Sequence, residues 1–151
     1  MKTLVAFYSR TGNTKRVGKE ISKKIKADID EIIDLKDRKR VIIGWLVSGR
    51  DATLKKTTEI KFKKNPLKYD LVIIGTPVWA WTVTPAIRTY LSKNKFKKVA
   101  FFCIHGGQFG KTFEEMEKLS KKPIRVFSIK DKEIGNVDYN KKLNKFCEEL
   151  R

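Results

Sequence analysis

The sequence predicts an α/β fold, a doubly wound parallel sheet with helices on both faces. Short apolar runs at residues 3–8 (TLVAFY), 71–75 (LVIIG) and 99–104 (VAFFCI) read as strands buried on both sides. Between them lie longer polar stretches whose apolar residues recur at helical spacing. Strands alternating with helices imply parallel βαβ units with right-handed crossovers. The chain has 151 residues and neither an internal repeat nor a linker, so residues 1–151 are expected to form a single domain.

The elements follow in order. After the first strand, Val17, Ile21 and Ile25 recur every fourth residue among lysines, predicting a helix over 13–26 with one face on the sheet. Residues 28–35 (DIDEIIDL) mix Ile29, Ile32 and Ile33 with acids, as an edge or near-edge strand does. A helix is expected over 38–56, although VIIGWLV also has strand character and Gly44 and Gly49 interrupt it. Asn65-Pro66 signals the turn into the central strand 71–75, which Thr76-Pro77 is read as ending. Pro85 stands where a helix starts, with Ile87, Tyr90 and Leu91 as its apolar side. Strand 99–104, loop 105–110 and helix 111–121 come next, the helix directing Phe113, Met116 and Leu119 inward. A fifth strand over 124–129 and a closing helix over 138–150, with Leu143, Phe146 and Leu150 apolar, complete the chain.

Thirty-five Lys and Arg against 17 Asp and Glu give a formal net charge of +18. Such a balance directs attention to an acidic partner, a membrane surface or nucleic acid, and by itself selects none of them. The densest lysines, at 61–68, 93–98 and 121–122, all precede strands and so belong at the N-terminal rim of the sheet, where they also serve as a solvated surface. A thinner set, Arg10, Lys36, Arg50 and Lys111, belongs at the opposite rim. No basic segment is interleaved with aromatic residues as a stacking platform requires, so nucleic acid is not the expected partner. Two distant cysteines and one histidine supply no cluster at zinc spacing, and no metal is expected. No apolar window approaches membrane-spanning length and no secretory leader is evident, which makes a cytoplasmic protein with reduced thiols the expectation.

Three turns at the C-terminal strand ends carry the chemistry, and this is the rim where ligands of open α/β sheets bind. Ser9-Arg10-Thr11-Gly12-Asn13-Thr14 links a strand to a helix. A helix N-terminus offers unpaired N–H groups and the positive end of the dipole; the hydroxyls of Ser9, Thr11 and Thr14 add donors, and Gly12 admits close approach. An ordinary cap needs one such residue, whereas this turn supplies several. Thr76-Pro77-Val78-Trp79-Ala80-Trp81 sets two indoles at a strand end, suited to stacking on a planar ligand and also to covering a sheet edge or a subunit contact. His105-Gly106-Gly107-Gln108 lets backbone groups and one amide reach the polar edge of a heterocycle.

Other phosphate chemistries fit less well. Residues 12–19 miss the spacing of a nucleotide P-loop by one position. Residues 105–112 keep Gly110-Lys111-Thr112 without the first glycine, and too little chain follows for the rest of such a sheet. The third strand ends in Gly75 and not in a phosphate-accepting Asp, and neither cysteine opens a loop closing in Arg.

Taken together, the three turns resemble those of the flavodoxin-like family, and the resemblance covers essentially the whole chain. It implies a flavodoxin-like five-stranded parallel sheet of order 2-1-3-4-5. It also implies noncovalent FMN, with Ser9, Arg10, Thr11, Gly12, Asn13 and Thr14 at the phosphate. Thr76, Pro77, Val78, Trp79, Ala80 and Trp81 would flank the isoalloxazine, with Trp79 stacking on it, and His105, Gly106, Gly107 and Gln108 would border its pyrimidine or outer face. The uninterrupted fifth strand resembles the short-chain form, on a basic and not an acidic chain. Electron transfer to a partner protein or small acceptor, without a catalytic residue, is the function implied. Two alternatives stand beside it. One is an FMN-dependent NAD(P)H or quinone reductase using Trp81, Arg50 and residues 38–64 around a substrate pocket. The other is a flavin-free interaction module binding an acidic partner or nucleic acid through the N-terminal rim.

Overall fold

The structure is a computed structural model that describes residues 1–36 and 57–151. The helix expected over 38–56, and Arg50 with it, lie outside the described residues. Five parallel strands form the main sheet: β1 (Thr3–Phe7), β2 (Asp28–Glu31), β5 (Leu71–Trp79), β7 (Val99–His105) and β8 (Val126–Lys130). Their spatial order is β2-β1-β5-β7-β8, which is the expected 2-1-3-4-5 counted over the parallel strands alone. Helices α1 (Asn13–Ile25), α2 (Pro85–Lys93), α3 (Thr112–Leu119) and α4 (Val137–Glu149) fill the crossovers and the C-terminus.

Alternation along each central strand divides the core in two. Leu4, Ala6, Val72, Ile74 and Phe101 point to the face covered by Ile87, Tyr90 and Met116 of α2 and α3. Val5, Phe7, Ile73, Ala100 and Phe102 point the other way, against Val17 and Ile21 of α1 and Tyr139, Leu143 and Phe146 of α4. Both faces being buried is why these strands read as continuous apolar runs. At Gly75 the sheet admits no side chain, since a Cβ there would stand 2.0 Å from Cζ of Phe102.

Two expected boundaries change. The run 28–35 is not one strand: the N–H of Ile32 donates to Phe7 O at 2.7 Å, and the chain then forms β3 (Ile33–Asp34), antiparallel to β4 (Ile60–Lys61). The returning segment is pinned by buried Asp30, whose carboxylate accepts the N–H groups of Lys63 and Lys64 at 3.0 and 2.7 Å. More important for function, Thr76-Pro77 does not end the central strand. Thr76 and Pro77 pair with Cys103 and Ile104, and β5 runs on to Trp79 before folding back on β6 (Thr82–Val83) as a hairpin. Proline is tolerated here because it stands at the end of the parallel ladder, with Pro77 and Ile104 as the last pair to β7, and the hairpin partner β6 takes over the pairing from Val78. The fifth strand is uninterrupted, passing through a 3-10 turn (Asp131–Glu133) into α4.

The lysines preceding β5, β7 and β8 lie at the N-terminal strand ends as expected. Lys68, Lys97, Lys98, Lys121 and Lys122 are exposed there, and Lys121 Nζ reaches Lys97 O at 3.1 Å.

Candidate functional site

The turn after β1 enters α1 through Gly12, which adopts φ 102° and caps the helix without a side-chain hydrogen bond. Its own N–H donates to Ser9 Oγ at 3.2 Å, so the serine closes the turn and leaves the first helical N–H groups uncapped by any side chain. A Cβ added at Gly12 would meet nothing within 4 Å; the left-handed backbone, and not crowding, is what asks for glycine. No acidic residue stands in the first turn of α1. The end of the helix therefore keeps its positive potential for a ligand anion.

This turn is one wall of an open cleft of about 190 Å³. Arg10, Thr11, Asn13 and Thr14 meet Pro77, Val78 and Trp79 of β5, and Ile104, His105 and Gly106 from the end of β7. Parallel strands end together, and β1, β5 and β7 are neighbours, so three segments distant in sequence converge. Trp79 is half-buried; Tyr8 meets it edge-on with ring centroids 5.5 Å apart, and the Arg10 guanidinium carbon lies 5.7 Å from its ring centroid. Two polar atoms of the cleft residues, Arg10 Nη1 and His105 Nδ1, are buried without a hydrogen-bond partner among the described residues. Burial lowers the His105 pKa, and the positive charge of Lys130 adds to this, against smaller opposing effects of Glu133 and Asp131. The imidazole is thereby held toward its neutral form.

The other expected residues separate. Thr76 is fully buried, and its hydroxyl donates to Pro77 O at 2.8 Å and shares a hydrogen bond with Thr84 Oγ1 at 3.0 Å, so it braces the hairpin. Ser9 lines a smaller neighbouring cleft together with Arg10 and Lys36. Gly107 is exposed. Ala80, Trp81 and Gln108 line a second cleft with Thr82, Gly110, Lys111 and Glu115. Sequence reasoning missed Asp131 in the first cleft, although its position directly after the fifth strand is a signal for it. It also missed Thr82 and Glu115 in the second, which no local motif marks.

Both cysteines are free and buried, and burial pushes the Cys147 thiol up to about 11 and the Cys103 thiol higher still. Neither serves as a nucleophile in that state. Among the described residues no group of three or more His, Cys, Asp and Glu could hold a metal ion, and no helix is long and apolar enough to cross a membrane.

Among curated proteins no sequence matches. Solved structures do. A flavoprotein in complex with FMN from Lactobacillus acidophilus NCFM superposes with a TM-score of 0.72 at 24% identity, over 88% of this chain and 95% of that one. Oxidised Flavodoxin 2 from Bacillus cereus gives 0.64 at 16% identity, covering 99% and 97%. A short-chain flavodoxin associated with a non-canonical PDU bacterial microcompartment gives 0.58 at 13% identity, covering 99% and 97%. These likenesses establish the fold. The sequence itself matches the family model described as Flavodoxin over residues 2–150, and the chain belongs to that family.

Proposed function

We propose that this chain binds FMN noncovalently in the first cleft and acts in electron transfer. The observation that carries the reading is the convergence of an uncapped helix N-terminus, the half-buried indole of Trp79 and two buried polar atoms without a partner among the described residues, Arg10 Nη1 and His105 Nδ1, around one opening. A buried donor or acceptor without a partner is costly, and a ligand with polar edges relieves that cost. An aromatic phosphate supplies what each wall lacks: an anion for the N-terminus of α1, a ring for the indole and polar edges for the two orphaned atoms. The residues present fit FMN, which the Lactobacillus flavoprotein named above holds.

When bound, FMN supplies one- and two-electron chemistry. The chain's part is to hold and tune it. N–H groups at the start of α1, with Thr11 and Thr14, take the phosphate. Trp79 offers its ring face, and Arg10 places a positive charge beside it. His105, kept toward neutrality, presents a nitrogen as a hydrogen-bond partner and adds no second charge. Positive charge near the ring favours the more negative reduced flavin, so this protein is expected to be less strongly reducing than an acidic relative. Electrons then pass to a partner protein or small acceptor, with no covalent catalytic residue.

The visible absorption spectrum tests this directly. Purified protein is expected to be yellow or to become so on adding FMN, with quenching of flavin fluorescence; colourless protein that neither takes up FMN nor quenches it would sink the proposal. Salt-dependent binding of an acidic protein or of nucleic acid by such colourless protein would support the interaction-module reading instead. A second reading, an FMN-dependent NAD(P)H or quinone reductase, is favoured by one observation, the separate cleft beside the first. Steady-state NAD(P)H oxidation with a quinone acceptor distinguishes an enzyme from a carrier.

A further inference from the structure

The β5–β6 hairpin turns through Ala80 and Trp81, whose φ angles are 49° and 60°. Asn-Gly is the usual occupant of a two-residue turn with both positions left-handed. A side chain at such a position crowds the following carbonyl oxygen and is strained, and strain of this kind clusters where a side chain is held for a purpose. Here it holds Trp81 outward, 68% exposed. The turn is also fastened: Lys111 N–H donates to Trp81 O at 2.9 Å, and the Cα of Gly110 sits so close that an added Cβ would be 2.4 Å from that oxygen.

The indole forms a wall of an open cleft of about 560 Å³, inside the range of roughly 300–1,000 Å³ usual for small-molecule sites. Thr82 contributes to its lining; the residue is only 7% exposed, and Oγ1 is buried with no hydrogen-bond partner among the described residues. Gln108 adds an exposed amide and Lys111 an exposed ammonium group. Glu115 also lines the cleft, and Arg88 Nη1 at 3.3 Å and Lys118 Nζ at 3.8 Å balance its carboxylate. This cleft shares no lining residue with the first, yet its residues follow directly on those that β5 and the end of β7 give to the first, which the turn after β1 and Asp131 complete.

We propose that the second cleft binds a planar aromatic anion bearing carbonyl oxygens, stacked on Trp81, hydrogen-bonded by Thr82 and Gln108 and paired in charge with Lys111. Each group selects one part of that description. A fixed, solvent-facing indole prefers a flat π system. The unmade hydrogen bond of a buried hydroxyl is recovered by an oxygen on the ligand. An ammonium at the mouth attracts negative charge. The role of this molecule as a substrate rests on the flavin reading above; its binding does not.

The probe is anthraquinone-2-sulfonate, titrated into FMN-saturated protein. The readout is the Trp81 indole N–H resonance, assigned through its loss in Trp81→Phe. A saturable shift is expected. Naphthalene-2-sulfonate, which lacks the carbonyls, should bind at least about fivefold more weakly, and Thr82→Val should weaken anthraquinone-2-sulfonate by about five- to tenfold, the range of one lost hydrogen bond. FMN affinity of Thr82→Val should stay within about twofold of the wild type, since one cleft is altered and the other is not. Absence of a shift, equal affinity for both probes, or wild-type affinity in Thr82→Val would overturn the proposal. Displacement of FMN by the probe would do so too, by assigning Trp81 to the flavin site. If the protein takes up no FMN, the flavin reading fails, and the same titration of the flavin-free chain still decides the cleft.

Discussion

The backbone N–H of Lys111, at the start of α3, donates to the carbonyl of Trp81, at the tip of the β5–β6 hairpin, at 2.9 Å. That bond joins two segments that contribute to both clefts, the β5–β6 hairpin and the stretch after β7, and Gly110 makes it sterically feasible. Gly110→Ala combines a φ of 53° with a Cβ 2.4 Å from Trp81 O. A loss of about 2–3 kcal/mol is expected from overpacking and left-handed strain together, read from the midpoint of urea denaturation. Ala80→Gly should act in the opposite direction. It relieves strain at φ 49° and gives a net gain of up to about 1 kcal/mol after glycine's larger chain entropy.

Arg88 and Glu115 are an ion pair across α2 and α3, with side chains only 6% and 7% exposed. Nε and Nη2 of Arg88 are buried without partners among the described residues, so the guanidinium depends on this carboxylate. Glu115→Gln leaves a buried cation uncompensated and should cost about 3–5 kcal/mol. Chemical denaturation at low and high salt checks it, and the deficit should be nearly the same in both, because buried charges are little screened.

His105 has a depressed pKa in the folded state, from burial and from Lys130, with Asp131 and Glu133 opposing and the ring of Phe109 against it. The unfolded chain then binds a proton more readily than the folded one. Its contribution to stability is complete above the ordinary histidine pKa and declines as pH falls from there toward the folded value. Unfolding free energy measured from pH 8 to pH 5 should fall more steeply for the wild type than for His105→Asn. Equal slopes would remove His105 from the pH dependence.

Arg10 is the charged group of the turn after β1, with Nη1 unpartnered among the described residues and its guanidinium beside Trp79. Arg10→Gln should weaken FMN by about tenfold or more, the equivalent of one charge-assisted hydrogen bond. Arg10→Lys should recover part of the loss, because it keeps the charge but not the fork. The same Gln variant should make the potential of the second electron more negative, since a stabilising positive charge is gone. An unchanged potential in a spectroelectrochemical titration would separate Arg10 from redox tuning.

The sequence alone determined the sheet and the turn that walls its first cleft. Apolar runs without alternation mark strands buried on both faces, and the two core clusters on either side of β1, β5 and β7 are the reason they look so. The hydroxyl-rich turn before α1 is equally local: its glycine, its serine and the helix it opens are neighbours in the chain. Tertiary structure decided what the later residues do. Thr76-Pro77 reads as a stop, yet pairing with Cys103 and Ile104 carries the strand through Pro77 and pairing with β6 carries it on to Trp79, because neighbouring strands supply hydrogen bonds that no local rule anticipates. Through that extension Trp79 falls in one cleft and Trp81 in the next, with Thr82 and Glu115 beside it. Local preference marks where a chain turns; only the ladder across the sheet, and the single bond from Lys111 to Trp81, sets which side chains then face the same space.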